Sequence, residues 1–400
     1  MSHTPIPLDV KAAEGYLLRF LSLDGITGEE AGIAAAVADK LKEIGVPASA
    51  IRHDNAHKTI PAPTEVGNLF VDLPGTRPGS RLLFSAHLDT VELCRGARPR
   101  HEGDRIVSDG TTALGGDNRT GCAVLVTLVE TLLKHKLPHP PITLIFTVRE
   151  ESGLHGVREL DPKDLGGPTM GFNVDSSKAA ELIIGGVGQV RWQVEIEGKA
   201  AHAGVAPEKG ISSILVASLA LADAFRGGWV GKVVKPEGRG TSNPGVIRGK
   251  DGKPVGDATN VIPDYVQILG EARSLDLAFA ARIAAAYGDA FARAQSEVRN
   301  ADGVTSEVKF DTRPAYPPFS LGEDCQAVDR AKRAVESIGL KPQTMLATSG
   351  LDANWLVKHG VPTVTFGAGQ AEIHSVDEYV DLLEFERGCR LAVALATLEP

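Results

Sequence analysis

The sequence predicts an α/β protein: a central mixed sheet flanked by helices, interrupted by a smaller α+β domain. Three observations carry that expectation. Short apolar strands alternate with amphipathic helices over the first 186 residues and again after residue 313, the rhythm of a layered α/β domain. Several of these strands end on an acid or a histidine, the end at which such sheets keep their functional groups. Between the two stretches the texture changes to half-exposed, alternating strands with two amphipathic helices. That is an antiparallel α+β pattern of roughly 120 residues, a normal size for an inserted domain. The expected organisation is residues 1–186 with 313–400 as one domain and 187–312 as the other.

Taken in order, Leu8 to Leu21 and Gly28 to Ile44 carry apolar residues at helical spacing. The second follows Thr27, has Glu29 and Glu30 in its first turn, and closes on Gly45. Asn68 to Leu73 and Arg81 to Ala86 are strand-like, joined by a Pro/Gly turn. Residues 92–116 read as a loop with a small hairpin. Gly115-Gly116-Asp117-Asn118 then leads into an apolar helix from Cys122 to Leu133. Ile142 to Val148 is a nearly continuous apolar strand that runs straight into Arg149-Glu150-Glu151-Ser152-Gly153. Gly171 to Val174 is a further strand, ending on Asp175.

The inserted region opens with the alternation Val190, Trp192, Val194, Ile196. A helix from about Glu208 to Phe225 follows, then an irregular Gly/Pro-rich segment to Pro244. Strand pieces are expected at Gly245 to Arg248, Ala258 to Ile262, Tyr265 to Arg273 and Glu307 to Phe310, with a helix over Leu277 to Val298. Pro314 to Pro318 makes a stiff exit. Helices at Asp324 to Ile338, Asp352 to Lys358 and Leu382 to Leu398, and strands at Gln343 to Leu346 and Pro362 to Phe366, return to the first domain.

Composition narrows the function. A formal net charge of -9 disfavours nucleic acid, whose phosphates call for a basic surface. No apolar run is long enough to span a bilayer, and residues 1–10 show no basic and apolar leader, so neither a membrane nor a secreted setting is expected. Cys94, Cys122, Cys325 and Cys389 are scattered without CxxC pairing and read as cytoplasmic thiols.

The chemistry starts at Arg81 to Thr90. Alternation puts His87 and Asp89 on one face of an extended chain, where the carboxylate can support the imidazole. His87, Asp117, Glu150, Glu151, Asp175 and His374 each close an apolar run or sit beside glycine in a turn. Singly, each has a plainer reading: a solvated Glu150-Glu151 pair, a helix cap at Asp175, a surface histidine at His374. Together they form a mixed imidazole and carboxylate donor set suited to zinc, and also to cobalt or manganese. Without thiolates the set reads as catalytic rather than structural. It exceeds the three protein ligands of one catalytic zinc, so two metals about 3.5–4 Å apart sharing a carboxylate is the natural solution. Adjacent strand residues point apart, so Glu150 and Glu151 must lie where the strand has become a turn.

His87-Leu88-Asp89, Gly116-Asp117-Asn118, Glu150-Glu151, Asp175 and Ile373-His374-Ser375 resemble the M20 clan of zinc exopeptidases and amidohydrolases, and most nearly its peptidase T-like tripeptidases. The likeness extends to Phe146–Gly153 and Ser349–Asn354. It implies a zinc-exopeptidase-like catalytic domain with a lid and dimerisation domain inserted in it. It further implies two Zn2+ ions, with His87 and Asp175 on one, Glu151 and His374 on the other, and Asp117 bridging. A metal-bridging hydroxide would be the nucleophile and Glu150 the general base. Asp89 would support His87 and tune that base, and the Asp117–Asn118 peptide bond would be cis. In the inserted domain, the segments around His202, Asn260 and Arg273 are similar to the family's lid motifs. His202 would steady the oxyanion from the partner subunit of a homodimer, and Asn260 and Arg273 would bind substrate carboxylate or backbone, a task for which arginine's planar fork is suited. Two departures stand out. The interval from His87 to Asp117 is thirty residues (117 minus 87), shorter than in peptidase T, and Arg149 places a cation beside the base.

The resulting expectation is a cytoplasmic di-zinc exopeptidase that hydrolyses the N-terminal peptide bond of small peptides. An M20-type amidohydrolase or carboxypeptidase acting on N-acyl or N-carbamoyl amino acids or dipeptides is the alternative. A non-catalytic metal-binding assembly protein is the alternative from another class.

Overall fold

Four short apolar strands form the spine of the first sheet: Leu82–His87, Ile142–Thr147, Met170–Val174 and Thr363–Phe366. In the computed structural model, which describes residues 6–399, they run parallel, with pairs such as Phe84↔Leu144, Phe84↔Phe172 and Phe172↔Val364. Parallel strands need both faces covered, which is why these read as continuous apolar runs. Leu69–Leu73 and Ile51–His53 add antiparallel on one side. Glu181–Gly186, Phe319–Ser320 and Gln343–Ala347 complete the other side, making nine strands of mixed direction among the described residues.

Helix Gly116–His135 packs on one face of this sheet, against the buried row Leu82, Phe84 and Ala86, with Val10–Leu21 and Leu382–Thr397 beside it. The opposite face carries a buried polar row. Ser85 Oγ donates to Asn173 Oδ1 at 2.8 Å, and Asn173 Nδ2 donates to Thr365 Oγ1 at 3.3 Å. Helix Asp352–Lys358 packs against these strands. A small sheet joins the hairpin Arg100–Glu102/Arg105–Val107 to Tyr379–Asp381 and Gln370–Ala371, and so fixes the chain on both sides of His374.

The chain divides into two compact units, Met1–Gly186 with Phe319–Pro400, and Val187–Pro318. The second unit is a five-stranded antiparallel sheet in the order Gly231–Lys235, Gly238–Arg248, Tyr265–Ser274, Gly188–Glu197, Glu307–Tyr316. Helices Ser213–Arg226 and Leu277–Glu297 cover one face. Trp192 lies at its centre, stacked on Tyr287 with ring centroids 4.4 Å apart and on Phe310 at 5.8 Å.

The structure departs from the sequence reading at several elements. The segment before Pro244, expected to be irregular, is a hairpin of Gly231–Lys235 and Gly238–Arg248. Its proline, opposite Gly270, sits at the register shift between Pro244 and Val246, the kind of irregularity at which a strand tolerates a residue without an N–H. Residues 258–262 form no strand and contribute only the bridge His202↔Val261. Glu181–Gly186, whose two glycines hide it, is an additional strand. The last strand of the second unit continues past Phe310 to Tyr316, again over a proline at a shift, so the expected boundary at 313 falls inside it.

Candidate metal centre

Three of the four parallel strands, Leu82–His87, Ile142–Thr147 and Met170–Val174, deliver an acid or an imidazole at or just past their C-terminal ends. His87 is the last residue of its strand, and Asp175 follows directly on Val174. Thr147 ends the strand before Glu150, and Arg149 at φ +52° turns the chain there. Asp117 stands at the start of helix Gly116–His135, ahead of its regular part. Asp117 and Asn118 are non-helical, their peptide bond is cis as the resemblance implied, and Asn118 Oδ1 caps the following turn by accepting Gly121 N at 2.9 Å. A helix N-terminus favours the negative charge placed there.

Asp117 is the hub. Its Oδ1 lies 3.0 Å from His87 Nε2 and its Oδ2 3.5 Å from His374 Nε2. His374 Nε2 is 2.9 Å from Glu151 Oε1, and His87 Nε2 is 3.8 Å from Asp175 Oδ1. His87 Nδ1 lies 3.0 Å from the Asp89 carbonyl, which can only accept, so that nitrogen carries a proton and Nε2 faces the acids. All of these are buried or nearly so except His374, whose side chain is 46% exposed.

Electrostatics follow from this crowding. Burial raises Glu150 well above the usual carboxylate range, with Asp175, Glu151 and Asp352 adding to it against the pull of His87. Burial lifts Glu151 to about 7 and raises Asp175, on which Asp117 also presses. Asp117 moves the other way, because His374 and His87 outweigh its burial. His374 rises to about 10 through Asp117 and Glu151. Buried like charges of this density are costly unless a cation lies among them. The donors are imidazole nitrogens and carboxylate oxygens, and among the described residues no lysine or arginine forms an ion pair with Asp117, Glu151 or Asp175, so the residues fit a divalent metal. His87, Asp117 and Glu151 alone already present ligand atoms all within 4.8 Å of one another.

Asp89 has a part beyond its imidazole. Its carboxylate is 3.5 Å from His87 Nδ1, farther than its own carbonyl. Each oxygen instead accepts a backbone amide, Glu150 N at 2.9 Å and Glu151 N at 3.1 Å. Arg149 turns away from Glu150: its Nε donates to Thr64 Oγ1 at 2.7 Å and its Nη2 to the Pro63 carbonyl.

Four residues absent from the sequence-based ligand set hold the site together. Glu378 accepts Leu114 N, Gly115 N and Asp117 N at 2.9, 2.8 and 3.1 Å. Gln370 donates to Asp175 Oδ1 at 3.2 Å and accepts from Thr120 Oγ1 at 3.0 Å. Asp352, fully buried and raised to about 6 by burial, accepts Thr147 Oγ1. Asn118 Nδ2 donates to the Val174 carbonyl at 2.7 Å. Asp352 and Asn118 lie in stretches that carried the resemblance; Glu378 and Gln370 had no signal in the sequence, because their partners are set by tertiary folding.

The three candidates of the second unit lie as follows. His202 and Asn260 are exposed and adjoin: His202 bridges to Val261, and Ala203 N donates to the Asn260 carbonyl at 2.8 Å. Arg273 is half-buried on strand Tyr265–Ser274 and forks onto Glu271, at 2.8 Å from Nε and 3.1 Å from Nη2.

The model of peptidase family M20/M25/M40 matches residues 83–398. An uncharacterised protein of Bacillus subtilis, YqjE, is 32% identical over 379 residues, 94% of this chain and 95% of its own. Among solved structures, the aminopeptidase PepT of Bacillus cereus superposes with a TM-score of 0.83 at 32% identity, covering 98% of both chains. A tripeptidase of Staphylococcus aureus gives a TM-score of 0.86 at 26% identity, again over 98% of both.

Proposed function

The chain belongs to peptidase family M20/M25/M40 and is a metal-dependent hydrolase, and on that footing we propose that it is a two-metal exopeptidase removing the N-terminal residue of small peptides, tripeptides foremost. The observation that carries this reading is Asp117, whose two oxygens each face a different histidine. His87 and Asp175 would hold one ion, Glu151 and His374 the other, and Asp117 both. Zinc suits these donors, and cobalt or manganese would serve. Bound there, such ions acidify a water and polarise the scissile carbonyl.

The chain's own residues do the rest. Glu150, with its proton affinity raised by burial, takes a proton from the attacking water. As the C–N bond breaks, the same carboxylic acid protonates the departing amine, which restores Glu150 as carboxylate. Asp89 holds the amides of Glu150 and Glu151 and so keeps the base and a ligand in register. We assign substrate contacts to His202, Asn260 and Arg273, as the family resemblance implies. We also infer a homodimer formed through the second unit, whose helix Ser213–Arg226 exposes Ile214, Leu215 and Phe225. Four cysteines without a disulfide accord with a cytoplasmic setting, and no helix among the described residues is long and apolar enough to cross a membrane.

A substrate panel tests the reading: tripeptides with free or acetylated amino termini, alongside N-acyl and N-carbamoyl amino acids, each with metal content measured. Release of the N-terminal residue from free-amine tripeptides only is expected. Turnover confined to the acylated compounds would replace the exopeptidase with an amidohydrolase. Glu150→Ala should retain its metals and lose turnover by at least about a hundredfold.

A further inference from the structure

The turn Arg149–Glu151 presents three successive backbone N–H groups, and all three end on buried carboxylates from other parts of the chain. Asp89 takes those of Glu150 and Glu151. The third, Arg149 N, donates at 3.1 Å to Oε1 of Glu30, a residue no step of the chemistry uses. Glu30 is fully buried, and the same oxygen accepts Gly28 N at 2.7 Å.

The plainer reading is a helix cap, since Glu30 immediately precedes helix Ala31–Glu43. A capping side chain accepts amides of its own first turn. Glu30 makes no such bond, and the Ala31 amide is taken instead by Glu65 Oε2 at 3.1 Å. The Glu30 carboxylate is thereby left to reach across to Arg149.

What it reaches is a backbone position that needs holding. Arg149 sits at φ +52°, a left-handed conformation that costs a side-chain-bearing residue about 1–2 kcal/mol and persists only where its surroundings fix it. The same N-terminal region also grips its side chain through Thr64 Oγ1 and the Pro63 carbonyl. Thr27 Oγ1 donates at 3.0 Å to Ser152 Oγ, on the far side of the two glutamates. Glycine suits position 28 in this packing, because its φ is +94° and a Cβ there would stand 2.9 Å from the Pro63 carbonyl oxygen.

We propose that Glu30 is a positioning residue for hydrolysis: by fixing the Arg149 amide it sets the backbone from which Glu150 is aimed. A change of torsion at Arg149 swings Glu150 and Glu151 together, and Asp89 holds them only from beyond that pivot. The proposal rests on Glu150 as the proton carrier.

The test uses the full, metal-loaded chain with a free-amine tripeptide, comparing wild type with Glu30→Ala, Glu30→Asp, Glu30→Gln and Glu150→Ala. Metal content is measured on each. Hydrogen exchange of a peptide spanning 147–154 is followed in the metal-stripped proteins. Glu30→Ala should lower kcat by about tenfold to a hundredfold, the scale of an ångström's misplacement, with KM and metal content near wild type. Exchange in the turn should quicken. Glu30→Gln keeps an oxygen for both amides and should recover kcat to within about threefold of wild type. Glu30→Asp keeps the charge but draws the oxygens back by one methylene, so it should lose kcat as Glu30→Ala does, and it stands in if Glu30→Ala does not fold. Wild-type kcat in Glu30→Ala or Glu30→Asp beside an inert Glu150→Ala overturns the role of Glu30 alone, as does equal impairment in Glu30→Gln or unchanged exchange. Full turnover by Glu150→Ala would overturn the underlying reading, and the proposal with it.

Discussion

Glu378 and Asp117 stand 261 residues apart in the chain, and the carboxylate of the first accepts the backbone amide of the second at 3.1 Å. Its other oxygen takes the amides of Leu114 and Gly115. Glu378 lies four residues beyond His374, so one buried side chain ties the segment bearing the last imidazole to the turn bearing the shared acid. Burial raises its proton affinity, and the amides it collects pull the other way. The metal centre is therefore framed by acids that hold backbone: Glu378 for Asp117, Asp89 for Glu150 and Glu151.

That frame predicts the effect of removing it. Glu378→Ala leaves three buried N–H groups without an acceptor and should weaken metal binding by about tenfold to a hundredfold, the range seen when groups that orient ligands are removed. Titration of zinc into the stripped protein measures this. An unchanged affinity in a folded variant would separate Glu378 from the site.

Metal removal should cost stability as well as activity. Asp117, Glu150, Glu151 and Asp175 crowd together in a buried region, and a bound dication relieves their repulsion. At a free metal concentration near a hundredfold above the dissociation constant, binding adds about 2.7 kcal/mol to the folded state. Thermal melts before and after chelation should show a lower midpoint in the stripped protein, restored by adding metal back. Identical midpoints would argue against binding at this cluster.

Glu30 gives a pH dependence whose sign can be worked out. Burial and then the neighbouring Asp89 raise it to about 7, from an ordinary value of 4.5. Between those values the folded chain binds more protons at this site than the unfolded chain, so stability falls as pH rises through the window. Glu30→Gln lacks that loss. Its stability relative to wild type should therefore improve from pH 4.5 to 8, by an amount on the order of 3 kcal/mol. Urea unfolding at several pH values checks this, and a flat or opposite trend contradicts it.

In the second unit, Gly270 pairs with Trp192 across the sheet, and a Cβ at Gly270 would lie 2.2 Å from the indole. Gly270→Ala should destabilise that unit by about 1–3 kcal/mol through overpacking, and Trp192→Ala by about 3–5 kcal/mol through the void left between Tyr287 and Phe310. Tryptophan fluorescence during denaturation of Gly270→Ala would reveal the earlier transition. A midpoint equal to wild type would mean that the indole moves aside at no cost.

The parallel strands were legible because burial on both faces writes them as unbroken apolar runs, and Leu82–His87 and Ile142–Thr147 lie within a residue of where those runs placed them. The hairpin Gly231–Lys235/Gly238–Arg248 was not, because its stability comes from pairing with Tyr265–Ser274 rather than from its own glycine-rich pattern. Asp117 stood out in the sequence as a candidate ligand, but its place at a helix start did not, since only the capping by Asn118 shows where regular helix begins.

The sequence by itself determined the two-part organisation and the acids and imidazoles at the strand ends, because apolar periodicity and residue type are local properties of the chain. Only the tertiary structure decided that Asp117 would face two histidines, and that Glu30, Asp89 and Glu378 would bind amides rather than metal. A carboxylate carries the same charge in either role. Which one it takes depends on whether folding sets imidazoles and other acids beside it or the N–H groups of a turn, and those neighbours come from segments too distant in sequence for any local pattern to record.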